Sequence, residues 1–266
     1  MTHPTVQTRQ QGAVLTLTLL APPASGVQIG CIEALAQIFD ELPARTDVRV
    51  VILDGNFDWP LDTSHWQALR RNEPVRTHRA LQQMQRWRTA QLKVMPQALM
   101  AVVTGPCMDA ALTLIEGCDL ALCSEDATLG LSAEQAIWLG PETEAAHDES
   151  AQALGASLLH AMRDQRLTAQ QAQDAGWVTL ACPARALDEK VHEITQSLLD
   201  KDPLALQFAK ETLAHVPHMN WDASVNYTAA KFAEIKARQA QAAGPSSRAN
   251  AIAGFLAGQS KPGLRG

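Results

Sequence analysis

From residue 98 to residue 123 the chain reads ALMAVVTGPCMDAALTLIEGCDLALC, with charge only at Asp109, Glu116 and Asp119. Residues 98–103 form a buried-strand run and Gly105-Pro106 is a turn signal. Residues 110–115 suit a helix inside a core, and residues 118–123 suit a second strand. Continued to Pro141, this stretch packs a turn, a buried helix, a buried strand and an acidic residue into one compact unit. A strand, a tight turn and a helix start together make a place where unpaired backbone N–H groups can meet an anionic oxygen.

The rest of the chain supplies the surroundings such a unit needs. With 266 residues there is room for one large α/β domain, or for one domain with a helical extension. Residues 13–19 alternate threonine with aliphatics as a strand does, and residues 30–42 carry Ile32, Leu35, Ile38 and Phe39 at helical spacing before Pro43. Residues 48–53 are again a strand, so a βαβ crossover is predicted. Residues 56–74 show no clear period until Trp66 and read as a long loop, followed by a helix over 76–92. Trp59 and Trp66 are more often core anchors than ligand platforms, and His65 beside Ser64 is weak evidence for a nucleophile. Gly244-Pro245-Ser246-Ser247 predicts a hinge within 238–250, ahead of a last short helix over 251–256.

Composition excludes several function classes. At 46% hydrophobic and 19% charged the chain is of globular type, and a net charge of −6 provides no basic field for nucleic acid. Five cysteines, an odd number without metal-ligand spacing, read as reduced core residues. The polar start MTHPTVQTRQQGAV has no apolar core of a secretory signal, and no apolar run reaches membrane-spanning length. Cytoplasmic location is the resulting expectation.

Several motifs in chain order resemble the crotonase (enoyl-CoA hydratase/isomerase) superfamily. They are Gly105, the run Gly117-Cys118-Asp119-Leu120-Ala121, residues 126–132 (DATLGLS) and Pro141, then residues 167–178 and the helix opening Asp202-Pro203. Within it, Gln85-Arg86-Trp87, residues 118–123 and 127–132, Asn220-Trp221, Tyr227, Lys231 and the tail 260–264 are similar to the hydroxycinnamoyl-CoA (feruloyl-CoA) hydratase-lyase branch. The resemblance implies an α/β crotonase core of ββα superhelix type over residues 1–200. It also implies a C-terminal helical trimerisation region over 201–266, giving a homotrimer or a dimer of trimers. The implied activity is that of a lyase or hydratase acting on an enoyl-CoA. No metal or organic cofactor is expected, because CoA enters as part of the thioester substrate.

The same resemblance assigns roles. The backbone N–H groups of Thr63 and Ala110 are the expected oxyanion donors, and two such donors stabilise the enolate oxygen formed from a thioester carbonyl. Counting forward from Gly130 puts the acid–base glutamate position at Ala133, and counting back from Pro141 puts it at Glu134. One inserted residue reconciles the counts and favours Glu134, whose bland alternative is a solvated carboxylate at a helix start. Tyr227, the single tyrosine, stands where the branch orients the phenolic end of its substrate, and equally suits an aromatic in a subunit contact. Leu61, Asp62, Asp109, Thr113 and Trp138 are the expected substrate neighbours, with Thr113 where simple hydratases have a second glutamate. Lys231 and Lys261 are the candidates for CoA phosphates. The chain departs from the pattern at Asp109-Ala110-Ala111, where relatives have three glycines, and at Leu61-Asp62, where they have Ala-Gly. An added Cβ costs about 1–2 kcal/mol wherever positive φ is needed, and an inward carboxylate opposes an enolate. A CoA-thioester isomerase or hydrolase, and an acyl-CoA-binding or partner protein without turnover, are the alternatives.

Overall fold

Leu15, Leu17 and Leu19 are buried along one strand whose threonines stay half-buried, and this strand lies second from the edge of the first of two sheets. A computed structural model of the chain describes residues 5–20, 29–59, 63–130 and 166–256. They divide into a unit ending at Pro203 and a unit beginning at Leu204. In the first unit, β1 (Val6–Gln11) and β2 (Val14–Leu19) make an antiparallel hairpin, with Gly12 at φ +60° in its two-residue turn. β1 is absent from the sequence reading because Val6 is its single buried residue, so no alternation marks it. α1 (Ile29–Glu41) then buries Ile32, Leu35 and Phe39, and β3 (Val50–Gly55) returns parallel to β2 as the predicted crossover requires.

β4 (Phe57–Trp59) and α2 (Thr63–Asn72) occupy the segment read as a loop. The strand is too short to show a period, and the segment has no clear period before Trp66. α3 (Pro74–Arg86) follows and passes into a π-helical turn over Trp87–Gln91 and a 3-10 turn over Leu92–Val94, so the predicted single helix over 76–92 is three pieces. Next come β5 (Ala98–Val103), β6 (Pro106–Asp109), α4 (Ala110–Gly117), β7 (Leu120–Ser124) and β8 (Thr128–Gly130). β9 (Leu167–Thr168), α5 (Ala169–Asp174), β10 (Leu180–Cys182) and α6 (Ala184–Leu199) complete the unit.

One sheet has the order β1-β2-β3-β5-β7-β10 and the other β4-β6-β8-β9. β5 explains its unbroken apolar sequence: Leu99, Ala101 and Val103 enter the main core, while Met100 and Val102 join Leu122, Cys182 and Leu187 on the other face, under α6. A strand covered on both faces needs no alternation. The Asp119 carboxylate accepts the Leu99 N–H at 2.8 Å, and the Asp119 N–H donates to the Leu99 carbonyl at 3.0 Å, tying the start of β7 to β5. Arg49 donates to the carbonyls of Leu199 (2.6 Å), Leu198 and Lys201, placing a cation at the negative end of α6.

The second unit contains α7, which runs Pro203–His215, and α8, which runs Trp221–Leu256. Lys231 is held by Glu211 at 2.9 Å and Glu234 at 3.3 Å, and its ammonium lies 4.8 Å from the ring centre of the buried Phe208. α8 continues through Gly244-Pro245, which corrects the predicted hinge. Proline removes one N–H from a helix, yet its φ is helical, and the alanines on both sides favour continuation.

Candidate active site

Three times the chain leaves the first sheet and enters the second within a few residues. β3 passes to β4 through Asn56, β5 to β6 through Thr104-Gly105, and β7 to β8 through residues 125–127. β4, β6 and β8 are parallel neighbours, with Trp59 opposite Asp109 and Met108 opposite Gly130. Their carboxyl ends therefore lie side by side. α2 starts at Thr63, four residues beyond β4, and α4 starts at Ala110, directly after β6. Ligands of parallel sheets gather beyond such strand ends. Both expected oxyanion donors are thus first residues of helices that follow neighbouring strands, and N–H groups there have no intrahelical partner.

The first corner is built by Gly55 and Asn56. Gly55 has φ +99°, and a Cβ there would lie 2.3 Å from the Leu19 carbonyl oxygen, so glycine is required. No motif marks Asn56, although Gly-Asn is a turn signal. Its N–H donates to the Leu19 carbonyl at 2.8 Å, and its side-chain oxygen accepts the Asp58 N–H at 2.9 Å. Its carbonyl accepts the Trp59 indole N–H at 3.0 Å. Trp59 is 1% exposed, so it anchors β4 in the core as its bland reading held.

Where β6 passes into α4, Asp109 adopts φ +50° and ψ −112°, the one positive φ outside glycine among the described residues. It is 1% exposed and does not cap α4 with its side chain. The cost expected of a Cβ at positive φ therefore falls here, at the residue preceding the Ala110 donor. Thr113, 2% exposed, lies one helical turn further on. Cys107, on β6, has its thiol pushed well above the ordinary range by burial, with Glu116, Cys123, Asp109 and Asp58 adding to the effect. It is a core thiol and no nucleophile. Burial likewise pushes Cys31 up to about 12 and Cys123 up to about 11.

The other expected site residues divide in two. Tyr227 and Lys231 belong to the second unit, where the Tyr227 ring meets His215 edge-to-face at 5.9 Å and has the Lys231 ammonium 5.8 Å from its centre. The pKa of Lys231 is raised, first by its hydrogen bond to Glu211, so its charge is already engaged by carboxylates. Leu61, Asp62, Glu134, Trp138 and Lys261 lie outside the described residues.

Comparison with known proteins agrees with this architecture. A model of the enoyl-CoA hydratase/isomerase family matches residues 9–248. A hydroxycinnamoyl-CoA hydratase-lyase of Pseudomonas fluorescens is 28% identical over 182 residues, 67% of this chain and 64% of that protein, so the chain spans just under two thirds of that relative's length. A 2,3-dehydroadipyl-CoA hydratase of Escherichia coli (strain K12) is 29% identical over 214 residues, 78% of this chain and 80% of that one. The crystal structure of an enoyl-CoA hydratase/isomerase from Marinobacter aquaeolei superposes with a TM-score of 0.73, covering 97% of this chain and 98% of the other at 19% identity, which speaks for the fold. From the mixed α/β architecture with its parallel sheets and the match over residues 9–248, the chain belongs to the enoyl-CoA hydratase/isomerase family.

Proposed function

We propose that the chain hydrates an enoyl-CoA thioester, and that its acyl group is aryl-substituted and of hydroxycinnamoyl type, a reading supported by the similarity to the Pseudomonas fluorescens hydratase-lyase. One observation carries this reading: β4, β6 and β8 end side by side, and the segments holding Thr63, Ala110 and Glu134 follow those three ends. The thioester carbonyl accepts from the Thr63 and Ala110 N–H groups. As the oxygen of water bonds to Cβ, the Glu134 carboxylate takes its proton, the carbonyl oxygen becomes an enolate held by the two amides, and a proton then returns to Cα. In the lyase variant, the new β-hydroxyl is deprotonated and the Cα–Cβ bond breaks. An aromatic aldehyde leaves, and the acetyl-CoA enolate is reprotonated. Leu61, Asp62, Thr113 and Trp138 line the acyl site.

Assembly as a homotrimer or a dimer of trimers belongs to the same proposal. Trp221, Val225 and Phe232 are 80%, 49% and 61% exposed on one face of α8, a surface suited to a subunit contact. Among the described residues no helix is long and apolar enough to cross a membrane, and the cytoplasm is the proposed location.

A second reading is favoured by Asp109, whose buried carboxylate stands in strained backbone beside a donor. On that reading the chain binds acyl-CoA without turning it over. Incubation with feruloyl-CoA and crotonyl-CoA, with chromatographic detection of the CoA products, separates the two. Turnover of either that is lost in Glu134→Ala is the expected result. Binding of both without turnover gives the second reading, and activity that survives Glu134→Ala removes the glutamate assignment.

A further inference from the structure

We infer that Gly117, together with the π-helical turn over Trp87–Gln91, sets where the Ala110 amide stands, so that Gly117 is a positioning residue although it lies at the far end of α4 from the donor. The inference rests on the acyl-CoA reading above. α4 has eight residues and is therefore about 12 Å long, with Ala110 opening it and Gly117 closing it. Every residue of it except Glu116 is buried. A two-turn helix enclosed in a close-packed core moves as one piece, so a displacement at Gly117 is felt at the first amide. The exit from α4 is tied down as well: the Cys118 N–H donates to the Ile115 carbonyl at 2.9 Å and the Asp119 N–H to the Leu99 carbonyl at 3.0 Å.

At that end α4 abuts the turn directly. A Cβ on Gly117 would lie 2.8 Å from Leu92 Cδ1, 3.1 Å from the Trp87 carbonyl oxygen and 3.4 Å from the Trp87 carbonyl carbon. Gly117 has no positive φ, so its backbone would accept alanine and only these neighbours exclude a side chain. The neighbours are themselves seated. Trp87 and Leu92 are fully buried, and the Trp87 ring stands edge-on to Phe39 with centroids 5.5 Å apart. The chain leaves the regular helical ladder at this contact, and π turns of this kind recur at functional sites. The turn thus acts as a stop for α4, and the stop sets how far the Ala110 amide projects beyond the end of β6. Positions matter at that scale, since a misplacement of about 1 Å can cost about 100-fold in rate.

The test uses the full chain and steady-state turnover of crotonyl-CoA and feruloyl-CoA, with circular dichroism to verify folding. Gly117→Ala lowers kcat about tenfold or more and changes KM less than about threefold, because a displaced donor weakens the interaction that grows in the transition state. Leu92→Val lacks Cδ1, and in the Gly117→Ala background it restores kcat to within about threefold of Leu92→Val alone. A purely structural role predicts the reverse, since the second substitution removes more of the core. Gly30→Ala is the control: its Cβ would meet Thr5 Cγ2 at 3.6 Å, an ordinary contact, and kcat stays unchanged. Trp87→Phe loosens the seat of the turn without crowding it and lowers kcat about threefold at unchanged KM, which keeps the test decisive if Gly117→Ala does not fold. With an active parent, a kcat held within about threefold in Gly117→Ala, a loss that the double variant does not recover, or an unchanged kcat in Trp87→Phe overturns the inference alone. A parent that turns over neither thioester overturns the hydration reading, and the inference falls with it.

Discussion

Gly55 ends β3 just before the chain crosses to the second sheet, Asp109 ends β6 just after another such crossing, and both have positive φ, yet one is glycine and the other aspartate. At Gly55 the obstacle is another part of the backbone: a Cβ would press on the Leu19 carbonyl at 2.3 Å, and relieving it would separate β2 from β3. At Asp109 the strain is torsional and stays within the residue. The fold thus refuses a side chain where the six-stranded sheet would open. It accepts one at the start of α4, where the cost stays within the residue and opens no sheet.

The sharpest way to break that contrast is Gly55→Ala. We expect it to cost about 3 kcal/mol or more in chemical denaturation, since strain and a backbone clash combine. A cost below about 1 kcal/mol would mean that the Gly55 turn is no more constrained than the Asp109 one. Asp119→Ala leaves the Leu99 N–H without its acceptor just before β7, the strand that leads into the third crossing, and should cost about 1–3 kcal/mol, read in the same way. Thr168→Ala removes the capping box that starts α5, where Thr168 accepts the Gln171 N–H at 3.2 Å, and should cost about 1 kcal/mol without affecting acyl-CoA binding.

The smallest effect lies furthest from either corner. Arg76 donates to Glu33 through two nitrogens at 2.7 Å, and this hydrogen bond holds the Glu33 carboxyl below its ordinary 4.5. A lowered carboxyl contributes stability above its unfolded value and loses it as pH falls through the folded one. Glu33→Gln should therefore be less stable than the parent at neutral pH, by no more than about 1 kcal/mol given the exposure of the pair, and equal to it in strong acid. A gap that persists in acid would contradict the assignment.

What the sequence made legible follows from length and period. β2 alternates, β5, β7 and α4 are apolar runs, and α1 repeats at helical spacing, so each was readable from its own residues. β4 and β8 have three residues each, fewer than a period needs, and they are stabilised by neighbours far away in the chain. Their pairing is what sets the site beyond the strand ends, so the site's residues could be named from resemblance while its layout could not. The Ala110 donor was readable as a helix start. The Asp109 backbone was not, because aspartate in glycine geometry is a decision of packing. Lys231 was legible as a cation, but not its pairing with Glu211, twenty residues earlier and on a different helix.

The central claim is that the amides opening α2 and α4 jointly receive the thioester oxygen. Hydrogen–deuterium exchange of the full chain with and without saturating acetoacetyl-CoA, read by mass spectrometry at peptide level, addresses it directly. Simultaneous protection of the peptides containing Thr63 and Ala110, the strongest in the chain, is the predicted result. Binding that leaves both peptides exchanging as in the free protein would contradict it.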